Sequence, residues 1–195
     1  MEHFDLLSES GELTGERKLR TEVHWDGDWH KTVHVWFINN RHELLLQKRA
    51  AVKDSYPGMW DTSVAGHVEV GCDASRTVIK EAREEIGVSL RSEDVEYLFT
   101  ITQKKVLKGG KFIDNEFNDV YLVQTDIDLE TIELQAEEVA EVAWVPFTEL
   151  EMRVSQRDAT IVPHDDEYPK LFSILHQRFD MFDTVLWSKS KRILA

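Results

Sequence analysis

A single cysteine, Cys72, stands among 195 residues, so the chain can form no intramolecular disulfide and no thiolate-based zinc site. Proline (4) and glycine (9) are also sparse, which excludes collagen-like and low-complexity chains. Basic residues are in deficit: 23 Lys and Arg face 37 Asp and Glu, a net charge of −14. Such a surface repels phosphate backbones and anionic membranes, so neither nucleic acid nor membrane is an expected partner. Small phosphate esters stay compatible with it when a divalent cation neutralises them locally. No apolar run approaches the ~18–20 residues that cross a bilayer. The opening Met-Glu-His-Phe-Asp has neither the basic nor the apolar part of a signal peptide. With one thiol in the chain, a reducing, cytoplasmic location is the expectation.

What is present suits a globular chain with a real core, since 42% of residues are hydrophobic. Residues 1–31 are polar and interrupted by Gly11, Gly15 and Gly27, and read as an N-terminal arm with at most a short hairpin. Residues 32–182 carry alternating strand and helix signals and form the expected domain; 183–195 read as a tail. VHVWFI and ELLLQKR flank the turn residues Asn39-Asn40-Arg41-His42 as a strand pair. WDTSVAGHVEV reads as one strand ending near Gly66. A helix is predicted from Ala74 to Ile86, capped by Asp73 or Ser75 and closed by Gly87, with Val78, Ile79, Ala82 and Ile86 on its apolar side. EYLFTITQKKVL, the turn Lys108–Lys111 and FNDVYLVQT suggest a hairpin. EVAWVPF is a further strand, Thr148 a helix cap after it, and Leu171, Leu175, Phe179 and Phe182 a final helical stripe. The fold class is therefore one α/β (α+β) unit.

The chemistry concentrates in GHVEVGCDASRTVIKEAREEIGV, from Gly66 to Val88. Glu81, Glu84 and Glu85 fall at i, i+3 and i+4, so on a helix three carboxylates project within about one turn. Like charges at that spacing weaken a bare helix and invite a cation. A donor set of oxygens alone favours Mg²⁺ or Mn²⁺ over zinc. Read alone, the same cluster also fits a solvated acidic helix face paired with Lys80 and Arg83.

The whole segment resembles the Nudix box, G-x5-E-x7-R-E-U-x-E-E-x-G-U with U apolar. Gly66, Glu81, Ala82, Glu84, Glu85, Gly87 and Val88 are in register, while Cys72 replaces the first Glu and Lys80 the Arg. The resemblance implies an α/β/α sandwich with a mixed central sheet and divalent-metal-dependent hydrolysis of a small-molecule diphosphate. It implies Glu81, Glu84, Glu85 and the Gly66 carbonyl as metal ligands, Glu81 or Glu84 as general base, and a homodimer among the expected assemblies. Lys80 keeps the Arg charge but not its bidentate fork. Cys72 is expected to be a semi-buried, structural thiol.

HVWFINNRHELLLQKRA, KDSYPGMWDTSVAGHVEVG and GGKFIDNEFNDVYLV extend the likeness, from about His24 to Phe182, to the isopentenyl-diphosphate-isomerase-like branch of the family. That branch includes the Nudix domain fused to a peptidase in plants and stand-alone microbial relatives. Its isomerases carry a catalytic Cys two residues before the His of their Gly-His pair, where this chain has Ala65. Lacking a titratable group there, the chain is not expected to move protons on carbon. His30, His67 and Glu116 match positions at which the isomerases hold a metal, with Asp114 in place of one Glu. Two roles follow for Glu116: second-site ligand with His67 and Asp114, or metal ligand or general base of the hydrolase site.

Other residues are candidates on simpler grounds. Lys48 and Arg49 end an apolar strand and are placed to reach phosphate oxygens, as His67 is from beside Gly66. Lys104, Lys105 and Lys108 suggest a basic rim, and Glu137 and Glu138 rank behind Glu116 as catalytic carboxylates. His24, His30 and His34 look like a metal set, but His30 and His34 on one strand lie about 13 Å apart. Trp36 and Trp60 are expected to pack rather than to stack on a ligand.

Overall fold

The structure, a computed structural model, describes residues 2–179. Its nine strands form one mixed sheet: β1 (His3–Leu7), β2 (Leu13–Leu19), β3 (Trp29–Ile38), β4 (Glu43–Arg49), β5 (Trp60–Asp61), β6 (Val64–His67), β7 (Glu96–Leu107), β8 (Phe112–Gln124) and β9 (Val139–Pro146). The helices are α1 (Arg20–Asp26), α2 (Ala74–Ile86), α3 (Phe147–Ser155) and α4 (168–179). None of the described helices is long and apolar enough to cross a membrane.

β3 is the spine. One edge runs parallel to β8 from Trp29↔Asn115 to Ile38↔Gln124. The other edge is shared: β1 pairs at Trp29, β6 from Thr32 to Val35, and β4 at Ile38. Period-two alternation then sorts the side chains. Val33, Val35 and Phe37 pack with Val78, Ala82 and Ile86 of α2. Trp36 and Ile38 pack with Phe147 and Leu150 of α3 and Leu171 and Leu175 of α4. Helices thus cover both faces of the sheet, the sandwich that the box implies.

Several boundaries differ from the sequence reading. The segment 60–67 is two short strands, because Ser63 interrupts it: its hydroxyl donates to the Leu45 carbonyl (2.5 Å) and accepts from Phe37 N–H (2.8 Å). A side chain there takes over the role of ladder hydrogen bonds between β3 and β4. Residues 1–31 hold the hairpin β1–β2 but also α1, whose polar residues gave no periodic signal. Thr148 lies inside α3; Pro146 occupies the cap position, and the first helical N–H, that of Phe147, donates to the His42 carbonyl at 3.1 Å. Phe182 and the tail 183–195 lie outside the described residues.

Candidate functional site

α2 forms where its sequence dictates. Asp73 accepts the Arg76 N–H at 2.8 Å as N-cap, and Gly87 closes the helix in the left-handed region (φ 71°). Burial of Val78, Ala82 and Ile86 against the sheet fixes the rotation of the helix and aims the acidic face at β6. Contact there is close: a Cβ on Gly66 would stand 2.4 Å from Glu81 Cγ, so only glycine fits. Glu81 and Glu85 turn inward, whereas Glu84 is exposed.

The electrostatics of the two inward carboxylates are strained. Burial pushes Glu81 up to about 7, helped by Glu84 and opposed by Lys80. Burial and the neighbouring Glu81 push Glu85 up to about 8. The donors to Glu85 Oε2 are distant: Ala65 N–H at 3.4 Å and Gln47 Nε2 at 3.5 Å. A buried, under-satisfied carboxylate within an all-oxygen donor set fits a hard divalent cation, Mg²⁺ or Mn²⁺. Lys80 gathers the remaining charge, with Nζ 2.6 Å from Glu69, 3.5 Å from Glu81 and 3.6 Å from Glu84. Cys72 is exposed rather than semi-buried, because it sits in the open turn before α2; Glu69, three residues earlier, supplies the carboxylate opposite Lys80.

Glu81, Glu84 and Glu85 form one wall of a cavity of ≈ 460 Å³ that is also lined by Gly66, His67, Arg49 and Glu116. β6 presents Gly66 to α2 and, on its opposite face, Ala65 and His67. On that second face lies a cluster the sequence reading assembled differently. His24 of α1, His30 of β3 and His67 bring one nitrogen each to within 4.8 Å of one another. Asp28 O accepts from His30 Nδ1 (3.0 Å), so His30 Nε2 faces Glu116 Oε1 at 3.6 Å, and His67 Nε2 reaches the same oxygen at 3.7 Å. His24 Nδ1 lies 3.0 Å from Asp114 Oδ1 without hydrogen-bond alignment. Both nitrogens of His24, and Nε2 of His30 and His67, are buried and lack hydrogen-bond partners. Burial, with Arg20 and the other imidazoles, holds His67 well below its usual range. Burial raises Asp114, whereas His30 outweighs burial and lowers Glu116. Three imidazoles around two carboxylates make a second donor set for a divalent cation. His34 is not part of it, which agrees with the strand-length argument. His24, which the sequence groups with His30 and His34, meets His67 instead, since its place depends on α1.

Other candidates divide. Arg49 lines the cavity, but its fork is already engaged: Nε and Nη2 hold Ser55 (2.8 and 3.0 Å) and Nη1 holds Asp61 (2.8 Å). Lys48, the next residue along the strand, points the other way, over the Trp60 ring (5.7 Å) and toward Glu141 (3.4 Å), away from the cavity. Of the lysines near the β7–β8 turn, only Lys105 faces the cavity, donating to Pro163 O at 3.0 Å, and burial lowers it. Lys104 covers Trp29 (4.9 Å) and Lys108 pairs with Asp54 (2.6 Å). Glu137 and Glu138 line the rim, Glu138 bonded to Lys53. Trp36 is core, as expected, and Trp60 packs against it half-buried.

Comparison with known proteins bears on the family and the fold. The NUDIX domain model matches residues 28–165. Nudix hydrolase 3 of Arabidopsis thaliana is 49% identical over 182 residues, covering 91% of this chain. The chain spans only 24% of that plant protein's length. An isopentenyl-diphosphate Delta-isomerase of Saccharopolyspora erythraea is 27% identical over 163 residues, 84% of this chain and 81% of its own. Among solved structures, DR0079 from Deinococcus radiodurans superposes with a TM-score of 0.67 at 21% identity, covering 91% of this chain and 99% of that one. At that identity the likeness speaks for the fold.

Proposed function

This chain belongs to the Nudix domain family, and on that premise we propose that it is a divalent-metal-dependent hydrolase of a diphosphate linkage in a small molecule. The observation that carries the reading is the pair Glu81–Glu85 at the wall of a cavity of ≈ 460 Å³, Glu81 packed against Gly66 and Glu85 buried. Glu81, Glu84, Glu85 and the Gly66 carbonyl are the residues that would hold Mg²⁺ or Mn²⁺. A cation bound there polarises the phosphoryl group and lowers the pKa of the attacking water.

The chain's own residues do the rest. Glu81, packed against Gly66 on the cavity wall, is the first candidate for general base. Glu84 is exposed at the mouth and is the alternative base. Glu116 lies beside His30 and His67, at 3.6 and 3.7 Å, which favours a role with the imidazole cluster over that of base. Arg49 braces the loop at Ser55 and orders one side of the cavity instead of offering a free fork to phosphate. Ala65 lines the cavity without a titratable group, so the reading excludes proton transfer to an allylic carbon.

The test is release of phosphate from nucleoside diphosphates, thiamine diphosphate and isopentenyl diphosphate, and of phosphomonoesters from dinucleotides, with and without Mg²⁺. Metal-dependent release that Glu84→Gln nearly abolishes is the expected result. Ligand-induced thermal stabilisation without release from any of these compounds would instead make the protein a sensor.

A further inference from the structure

A third group of ligating side chains, buried beside the cavity, goes unused by the diphosphate chemistry. His34 comes from β3, and His164 and Glu167 from the segment leading into α4; they are 7%, 5% and 0% exposed. Sequence separation hides the group, since 133 residues part His34 from Glu167.

Two of the three members are held from behind. Trp36 Nε1–H donates to Glu167 Oε1 at 2.6 Å, which leaves Oε2, itself 2.6 Å from His34 Nδ1. Asp61 Oδ1 accepts from His164 Nε2 at 2.7 Å, and Arg49 fixes the other Asp61 oxygen at 2.8 Å. This last arrangement leaves His164 Nδ1 buried and without any hydrogen-bond partner. One ligating atom from each of His34, His164 and Glu167 lies within 4.8 Å of the others, and the two rings are 4.9 Å apart, centroid to centroid.

An imidazole whose far nitrogen is bonded to a carboxylate, and whose near nitrogen is bare, has the arrangement of a metal-ligating histidine with its outer partner. We propose that His34, His164 and Glu167 form a binding site for a borderline divalent transition-metal ion of the zinc class. Two imidazoles and one carboxylate select such ions over Mg²⁺. His34 and His164 line the cavity, so the fourth coordination position opens to whatever occupies it, the pattern of sites that act on a ligand rather than of closed structural sites. Tetrahedral zinc with bonds of about 2.0 Å sets neighbouring ligand atoms about 3.3 Å apart. Binding therefore separates His34 Nδ1 from Glu167 by several tenths of an ångström and releases the proton they share.

The site stands apart from the hydrolase reading and from the His24–His30–His67 cluster, and the experiment keeps the three distinct. Zinc content after equilibration with Zn²⁺ and gel filtration is measured for the parent chain, His164→Asn, Glu167→Gln, and a His24→Asn/His67→Asn variant. His164→Asn and Glu167→Gln are each expected to carry one zinc equivalent fewer than the parent. In the His24→Asn/His67→Asn variant, added Co²⁺ is expected to give the strong visible absorption of a four-coordinate ion. Side-chain ¹⁵N resonances of the unaltered chain separate lost metal from lost folding: saturating Zn²⁺ is expected to shift His164 Nδ1. An unmoved Nδ1 resonance, or zinc content unchanged by both single substitutions, overturns the site and leaves the hydrolase proposal standing.

Discussion

At Gly66 the cost of a single methyl group can be foreseen. A Cβ would meet Glu81 Cγ at 2.4 Å, so Gly66→Ala must push Glu81 out of the cavity wall. The stability loss is of the order of 1–3 kcal/mol for an overpacked site, and phosphate release should fall by at least two orders of magnitude, which steady-state assays would register. The buried glutamates also predict a pH effect on the metal-free chain. Glu85 titrates near 8 when folded against an ordinary 4.5, so between those values the folded state holds the extra proton. Stability therefore falls as pH rises through that window. Urea titrations at pH 5 and pH 8 should show the loss in the metal-free parent, a smaller one in Glu85→Gln, and recovery on adding Mn²⁺. At this scale the three glutamates were legible in the sequence because one helical turn brings them together. The histidines were legible only in part: the resemblance points to His30 and His67, and strand length separates His34, but His24 joins them only through the meeting of α1, β3 and β6.

Elements whose ends are fixed by local chemistry were read to the residue. α2 runs from Ala74 to Ile86, as its Asp73 cap and Gly87 stop require, and β4 covers ELLLQKR. Asp73→Ala should cost about 1 kcal/mol of stability, measured by urea unfolding, and leave the active cavity intact. Where tertiary partners decide, the sequence reading failed: Ser63 splits a strand by bonding to two neighbours, and the His42 carbonyl displaces Thr148 from its cap. The two departures from the box lie on α2 and in the turn before it. Lys80 keeps the acidic face together by a point contact with Glu69, while Cys72 is exposed and takes no part. Lys80→Arg, by spanning Glu69 and Glu81 with a fork, should raise turnover a few-fold, Glu69→Gln should lower it by a similar factor, and Cys72→Ser should leave it unchanged.

Across the whole molecule, the cavity is where distant segments converge: the end of β4, β6, the acidic face of α2, β8 and the segment before α4. The sandwich was legible because the box fixes a loop–helix–loop and the apolar runs around it alternate with a strand's period. The cavity's inner surface was not, since Lys48 and Arg49 are adjacent in sequence yet face opposite sides of the sheet, and Arg49 is already bound to Ser55 and Asp61. If the proposed function holds, a strongly acidic chain (net −14) needs its cation before it can take a diphosphate, so without divalent metal the diphosphates of the panel should bind at least tenfold more weakly in calorimetry. Manganese binding, followed by the loss of the free-ion electron paramagnetic resonance signal, tests the central claim most directly. The parent and His67→Asn should both hold Mn²⁺ at the α2 wall, and Glu81→Gln/Glu85→Gln should weaken that binding at least a hundredfold while remaining folded. Retention of parental Mn²⁺ affinity by the folded double variant would contradict the account.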